Sequence, residues 1–208
     1  MNNFINKLYK KIHIIQNIYL KNKFLIKKKT YAMEGEDLEI VKILKNIKNG
    51  FYVDAGGYHP LDRNNTYLLY KSNWRGINID LSEFSIDLFN FMRPDDININ
   101  VAVSNNDDYV TFFYQKKLSQ LTTIKKKIAN QRMQGLIKEQ KIKSNKLTTI
   151  INNTKYKNRK IDFLNIDIEG ADFEALKSLD FEIYRPKLVC VEICLLYTSP
   201  SPRDATLS

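Results

Sequence analysis

Short β-rich apolar runs recur along this chain between stretches whose apolar residues fall at helical spacing. The strand runs are Phe51-Tyr52-Val53, Gly76-Ile77-Asn78-Ile79, residues 97–103, residues 162–167 and residues 187–193. Between them, residues 65–71 have a helical pattern. Residues 82–93 carry Phe84, Ile86, Leu88, Phe89 and Phe91 and stop at Pro94. A third helix is expected over 171–179, with Phe173, Leu176 and Leu179 on one face. Ahead of the first strand, Glu34, Glu36 and Asp37 precede an apolar face of Leu38, Ile40, Val41, Ile43 and Leu44. That is an acidic helix start, favoured by the N-terminal dipole. The alternation predicts α/β architecture, a doubly wound parallel sheet with helices on both faces. Residues 109–114, following the turn signal at 105–108, add one strand outside that rhythm.

Three stretches depart from the pattern. Residues 1–29 combine apolar positions (Phe4, Ile5, Leu8, Ile12, Ile15, Ile18, Tyr19) with lysines at roughly helical spacing. They form a basic N-terminal extension of one amphipathic helix or two, either docked on the domain or touching a membrane surface. Residues 118–158 are lysine-rich with weak helical periodicity around Ile124, Ile128, Met133, Leu136 and Ile137, and read as an insertion or lid rather than core. Residues 195–208 shift to Ser, Pro and Thr and read as a disordered, foreign-looking tail, like translated adapter sequence. On that reading the domain, residues 30–194, lacks its natural C-terminus.

The 208 residues and 43% hydrophobic content suit one domain with a substantial core. Charge changes the picture only in the flanks. Residues 1–29 hold eight lysines and no acid, and residues 116–160 hold fourteen Lys and Arg against Glu139 alone, within a net charge of +10. Such excess suits nucleic acid or an anionic membrane. The second basic segment has few aromatics for base stacking and no RNA-binding motif, so nucleic acid is the less favoured partner; the alternative readings are an RNA-binding or RNA-modifying protein and an inactive, truncated remnant. Cys190 and Cys194 lie four apart in an expected strand, about 13 Å, too far to bridge. The expectation is a reducing, cytoplasmic compartment. The apolar run at 12–20 is short and interrupted by His13, Gln16 and Asn17, so neither a signal peptide nor a membrane span is expected.

Candidate chemistry gathers at strand ends. The first strand delivers Asp54 to a turn containing Gly56 and Gly57, where the lack of side chains lets backbone N–H groups approach a ligand. Twenty-six residues later the second strand ends in Asp80, where a ribose-binding carboxylate belongs. Pro60 stands where a third glycine would complete a dinucleotide fingerprint, which weakens that version of the site. A third acidic strand end supplies Asp167 and Glu169. These two could serve as a general base or acceptor contact, cap the following helix, or bind a metal with a third ligand, with Glu192 a further candidate member. His59 is a ligand contact or base, or a hydrogen-bonded turn residue.

Gly35-Glu36-Asp37, the run VDAGGYHP from Val53 to Pro60, NTYLLY from Asn65 to Tyr70, WRGINID from Trp74 to Asp80 and FLNIDIEGADFEAL from Phe163 to Leu176 together resemble the FkbM family of S-adenosylmethionine-dependent methyltransferases. The likeness spans about residues 31–193, matches poorly over 118–158, and lacks the last two strands usual for the fold. It implies a class I, Rossmann-like methyltransferase fold and O-methylation of sugars, glycans or small metabolites with S-adenosylmethionine as cofactor. It also implies that Asp54, Gly56 and Gly57 line the methionine moiety, that Asp80 accepts the ribose hydroxyls, that Ala102 and Val103 lie near adenine, and that Glu36 belongs to the cofactor side. Asp167, Glu169 and His59 are the implied catalytic candidates.

Overall fold

The computed structural model describes residues 3–192; the 195–208 tail lies outside that span. Five parallel strands form the main sheet, in the spatial order 97–100, 75–80, 51–55, 163–166 and 188–191. They are β1 (Phe51–Ala55), β2 (Arg75–Asp80), β3 (Ile97–Asn100), β7 (Phe163–Ile166) and β8 (Leu188–Val191). β1 is buried along its whole length, as a central parallel strand must be, and its side chains feed two cores. Phe51, Val53 and Ala55 join Ile77, Ile79, Leu164 and Ile166 on one face; Tyr52 joins Phe163, Trp74, Ile40, Leu44 and Leu69 on the other. The sequence order reverses at β1, which pairs with β2 on one side and β7 on the other. At such a switch point the loops leaving the two strands diverge and open a crevice at the carboxyl edge.

The connecting helices fall where periodicity placed them: α2 (Glu36–Ile43), α3 (Tyr67–Lys71), α4 (Glu83–Met92) and α7 (Asp172–Lys177). Ser82 caps α4 by accepting a bond from the Ser85 N–H at 3.1 Å. In α7 the buried positions are Asp172 and Ala175, followed by Leu179 just beyond the helix, while Phe173 is exposed beneath the Lys177 ammonium. The expected Phe173–Leu176–Leu179 face is therefore rotated. The run at 97–103 breaks after Asn100, and Ala102–Val103 (β4) enters a second sheet, β4-β6-β5.

That second sheet corrects the reading of 118–158. β5 (Asp108–Tyr114) pairs antiparallel with β6 (Lys138–Asn145), a strand exposed over most of its length whose polar sequence has no apolar alternation to announce it. α5 (Lys126–Arg132) packs on β5. α6 (Leu147–Asn152) contributes Leu147, Ile150 and Ile151 to the main core, where Tyr156 stacks on Phe51 at 4.4 Å. The latter part of the segment is thus core, not lid.

At the N-terminus, α1 (Asn3–Ile15) continues into a π-helical turn, Gln16–Lys21. Ile14 and Ile18 reach a core cluster with Tyr31, Leu61, Tyr67 and Leu88, so the extension is docked on the domain. Among the described residues no helix is long and apolar enough to cross a membrane.

Candidate active site

The loops after β1, β2 and β7 border a narrow cleft lined by Gly56, Tyr58, Asp80, Asp167 and Glu169. Gly56 forms its floor. The backbone there is left-handed, with φ of +87°, and an added Cβ would lie 1.7 Å from the Asp167 carbonyl oxygen. Only glycine lets the β1 and β7 loops approach this closely. Its N–H donates to the Ile79 carbonyl at 2.8 Å, fixing the turn against the end of β2.

Asp80 lies at the cleft where β2 ends. One carboxylate oxygen accepts the Tyr58 N–H at 2.8 Å and the other the Ser82 N–H at 2.7 Å. Burial pushes its carboxyl up to about 6, against the pull of those backbone donors. Each oxygen keeps a lone pair for a hydroxyl donor in the cleft. Beside it Leu81, Val101 and Val103 line an apolar wall, while the intervening Ala102 is buried outside the cleft lining, as strand alternation requires.

The opposite wall is acidic. Carboxylate oxygens of Asp167, Glu169 and Glu192 lie within 4.8 Å of one another. Loss of solvent, then a hydrogen bond and repulsion from Glu192, pushes Asp167 up to about 8. Glu169 is pushed to about 7 by burial, less than it would be without the Arg132 guanidinium paired with it. Glu169 occupies a turn rather than the strand, with φ of +55° and its carbonyl accepting from the Thr123 hydroxyl at 2.8 Å. Asp172 fastens that turn by accepting the Ile168 and Gly170 N–H groups, both at 2.8 Å. At Gly170 a Cβ would meet Ile128 of α5 at 1.9 Å, so the turn is packed directly under the basic segment. These shifts bring the pKa values of Asp167 and Glu169 towards neutrality, which suits proton transfer, and the three carboxylate oxygens have the donor set of a divalent-cation site.

Sequence reasoning brought Gly56, Asp80, Val103, Asp167 and Glu169 to the cleft, and all five line it. The other candidates lie elsewhere. Asp54 is fully buried, and its oxygens accept from Thr66 Oγ1 at 2.7 Å, Asn165 Nδ2 at 2.9 Å and Asn64 Nδ2 at 3.2 Å. It braces the turn from behind. Gly57 faces Phe89, where a Cβ would come within 2.8 Å of the ring. Glu36 stays at the start of α2, its carboxylate accepting the Glu34 N–H. His59 is buried; Nδ1 accepts the Leu61 N–H at 3.0 Å and Nε2 pairs with the Asn22 amide at 2.9 Å. Burial, with Arg93 and Lys28 nearby, drops its pKa to about 3, so it is no base for this cleft.

Residues that sequence reasoning missed include Ser119, Gln120, Thr122 and Ile124, which close the cleft from the start of the basic segment, and Tyr58 beside Asp80. Arg132 was hidden among surface lysines and arginines. A second omission lies behind the site. Arg93 is fully buried and donates to the Pro60 carbonyl at 2.7 Å, Asn64 Oδ1 at 2.6 Å and Thr66 Oγ1 at 2.8 Å, with Phe89, Tyr67 and Tyr70 rings 5.0–5.5 Å from its guanidinium. Through Thr66 and Asn64 this cation balances Asp54.

A parallel sheet reversing at β1, with a carboxylate ending the neighbouring strand and an acidic wall across the crevice, defines a Rossmann-like α/β protein. Residues 54–203 match the family model described as the methyltransferase FkbM domain, and the chain belongs to that family of methyltransferases. The chain matches no curated protein and no solved structure.

Proposed function

We propose that this chain is an S-adenosylmethionine-dependent O-methyltransferase acting on a hydroxyl of a sugar, glycan or small metabolite in a reducing, cytoplasmic compartment. The observation that carries this reading is the placement of Asp80 on one wall of a single cleft with the carboxyls of Asp167 and Glu169, both with pKa values pushed towards neutrality, on the other. The residues suit the cofactor: Asp80 offers acceptors to ribose hydroxyls, Leu81, Val101 and Val103 offer an apolar slot to adenine, and the acidic wall favours a cation. When bound, S-adenosylmethionine supplies an electrophilic methyl group on a positively charged sulfur.

The chain's own groups do the rest. Gly56 keeps the floor of the cleft low, and residues 119–124 limit access of water from one side. Whichever of Asp167 and Glu169 is ionised takes the proton of the acceptor hydroxyl as its oxygen gains the methyl group, and Arg132 steadies Glu169 in its turn. Holding the acceptor oxygen in line with the methyl group supplies the larger share of the acceleration. The test is transfer of labelled methyl from S-adenosylmethionine to a panel of sugars and glycans. Asp167→Asn and Glu169→Gln should lose turnover while keeping affinity for S-adenosylhomocysteine, whose sulfur is uncharged. Labelling of RNA in place of every hydroxylated small acceptor would overturn the proposed substrate class.

A further inference from the structure

We infer that the N-terminal helix is an interfacial arm that seats the enzyme on an anionic lipid bilayer. The helix has two apolar faces, and the domain uses one. Ile14, 9% exposed, and Ile18 enter the core beneath it, while Lys10 pairs with Asp87 at 2.6 Å and Glu83 at 3.7 Å. The docking is fastened further along. Asn17 donates to the His13 carbonyl at 2.8 Å, and Asn22 donates to the Asn17 carbonyl while contacting buried His59. The arm is therefore held in place.

That docking leaves the other face outside. Ile5, Leu8, Ile12 and Ile15 are 42%, 49%, 51% and 49% exposed. At about 100° per residue they occupy an arc of about 80°, centred about 140° round the helix from Ile14. The surface continues over Tyr19 to Phe24, whose ring centroids are 5.4 Å apart, and to Phe91 of α4 at 6.4 Å. Leu20, Leu25 and Ile26 extend it, all exposed. An apolar surface this continuous marks an interaction site.

Charge selects the occupant. Lys7, Lys11, Lys21, Lys23, Lys27 and Lys29 are exposed around the patch, and residues 1–29 contain no acid. Glu83 and Asp87 pair with Lys10, which at about 100° per residue lies on the side of the helix opposite the apolar arc. An apolar stripe flanked by lysines, with aromatic rings at its end, fits acyl chains and anionic headgroups together.

The test is flotation of the full chain with vesicles of phosphatidylcholine alone or with 30% phosphatidylglycerol. The expected result is at least about tenfold stronger binding to the anionic vesicles, reduced at high salt because the lysine contribution is screened. The double variant Leu8→Glu/Ile12→Glu should fall to the neutral-vesicle background with an unchanged melting temperature, since both side chains point away from the domain. Lys7→Gln/Lys11→Gln should lower the anionic preference alone. Equal binding to both vesicle types, or binding retained by Leu8→Glu/Ile12→Glu, would overturn the proposal. So would a dimer in sedimentation velocity that this variant dissociates, because the face would then join two copies. S-adenosylhomocysteine affinity, measured alongside, should not change, which separates this inference from the cofactor reading.

Discussion

Replacing Arg93 with Met should destabilise the protein by roughly 3–5 kcal/mol, the usual cost of removing one partner from a buried charge system. The structure explains the size. Three hydrogen bonds of 2.6–2.8 Å disappear, leaving the Pro60 carbonyl and Asn64 Oδ1 with fewer donors in a region closed to water. Asp54 keeps its Thr66, Asn64 and Asn165 donors but loses the cation that balances it, and Asp96 also loses a favourable charge. Methionine can still pack against Phe89, Tyr67 and Tyr70, so the loss is mainly electrostatic. Urea unfolding followed by circular dichroism reads it out: with a slope of about 2–3 kcal/mol per M, the midpoint should drop by roughly 1–2.5 M. Because Arg93 and Asp54 communicate through Thr66 and Asn64, Arg93→Met/Asp54→Asn should cost at least about 1 kcal/mol less than the sum of the single changes. A loss below about 1 kcal/mol for Arg93→Met, or strict additivity in the double variant, would refute this account of the polar core.

The acidic wall makes stability depend on pH. Asp80, Asp167 and Glu169 hold their protons to about 6, 8 and 7 in the folded chain, whereas the unfolded chain releases them near 4, so stability is fully retained below about pH 4 as far as these groups go and is lost as pH rises towards 8. Each pH unit over which the native state alone holds one more proton costs about 1.4 kcal/mol; Asp167→Asn should therefore melt higher than wild type at pH 8, and an equal or lower melting temperature would contradict the assignment. Gly56→Ala should cost at least about 2 kcal/mol, from the left-handed backbone and the 1.7 Å approach to Asp167, in a thermal melt. His59→Gln should leave the neutral-pH dependence of methyl transfer unchanged, because the imidazole stays uncharged there.

Much of the cleft at the carboxyl edge of the sheet was legible because it is local. Asp80 at the end of an apolar run, glycine in the turn after β1 and acids after β7 are fixed by strand length and turn chemistry. What sequence concealed depends on packing between distant segments. Arg93 follows α4 and looks like an ordinary exposed cation at a helix end; only the placement of Pro60, Asn64 and Thr66 turns it inward. His59 and Asp54 sit among ligand-like residues, yet both point into the protein and are satisfied there. β6 escaped notice because Lys138, Glu139, Gln140 and Lys141 are exposed in succession and the strand is specified by its partner β5. Residues 119–124 reach the cleft as a turn, without the periodicity that betrays a helix or strand.

The most direct test of the central claim is calorimetric titration of S-adenosylhomocysteine into the full chain and into Asp80→Ala. Saturable binding by the wild type, weakened at least about tenfold by the substitution, is the predicted result. No binding, or equal affinity in the two proteins, would contradict the placement of the cofactor in this cleft.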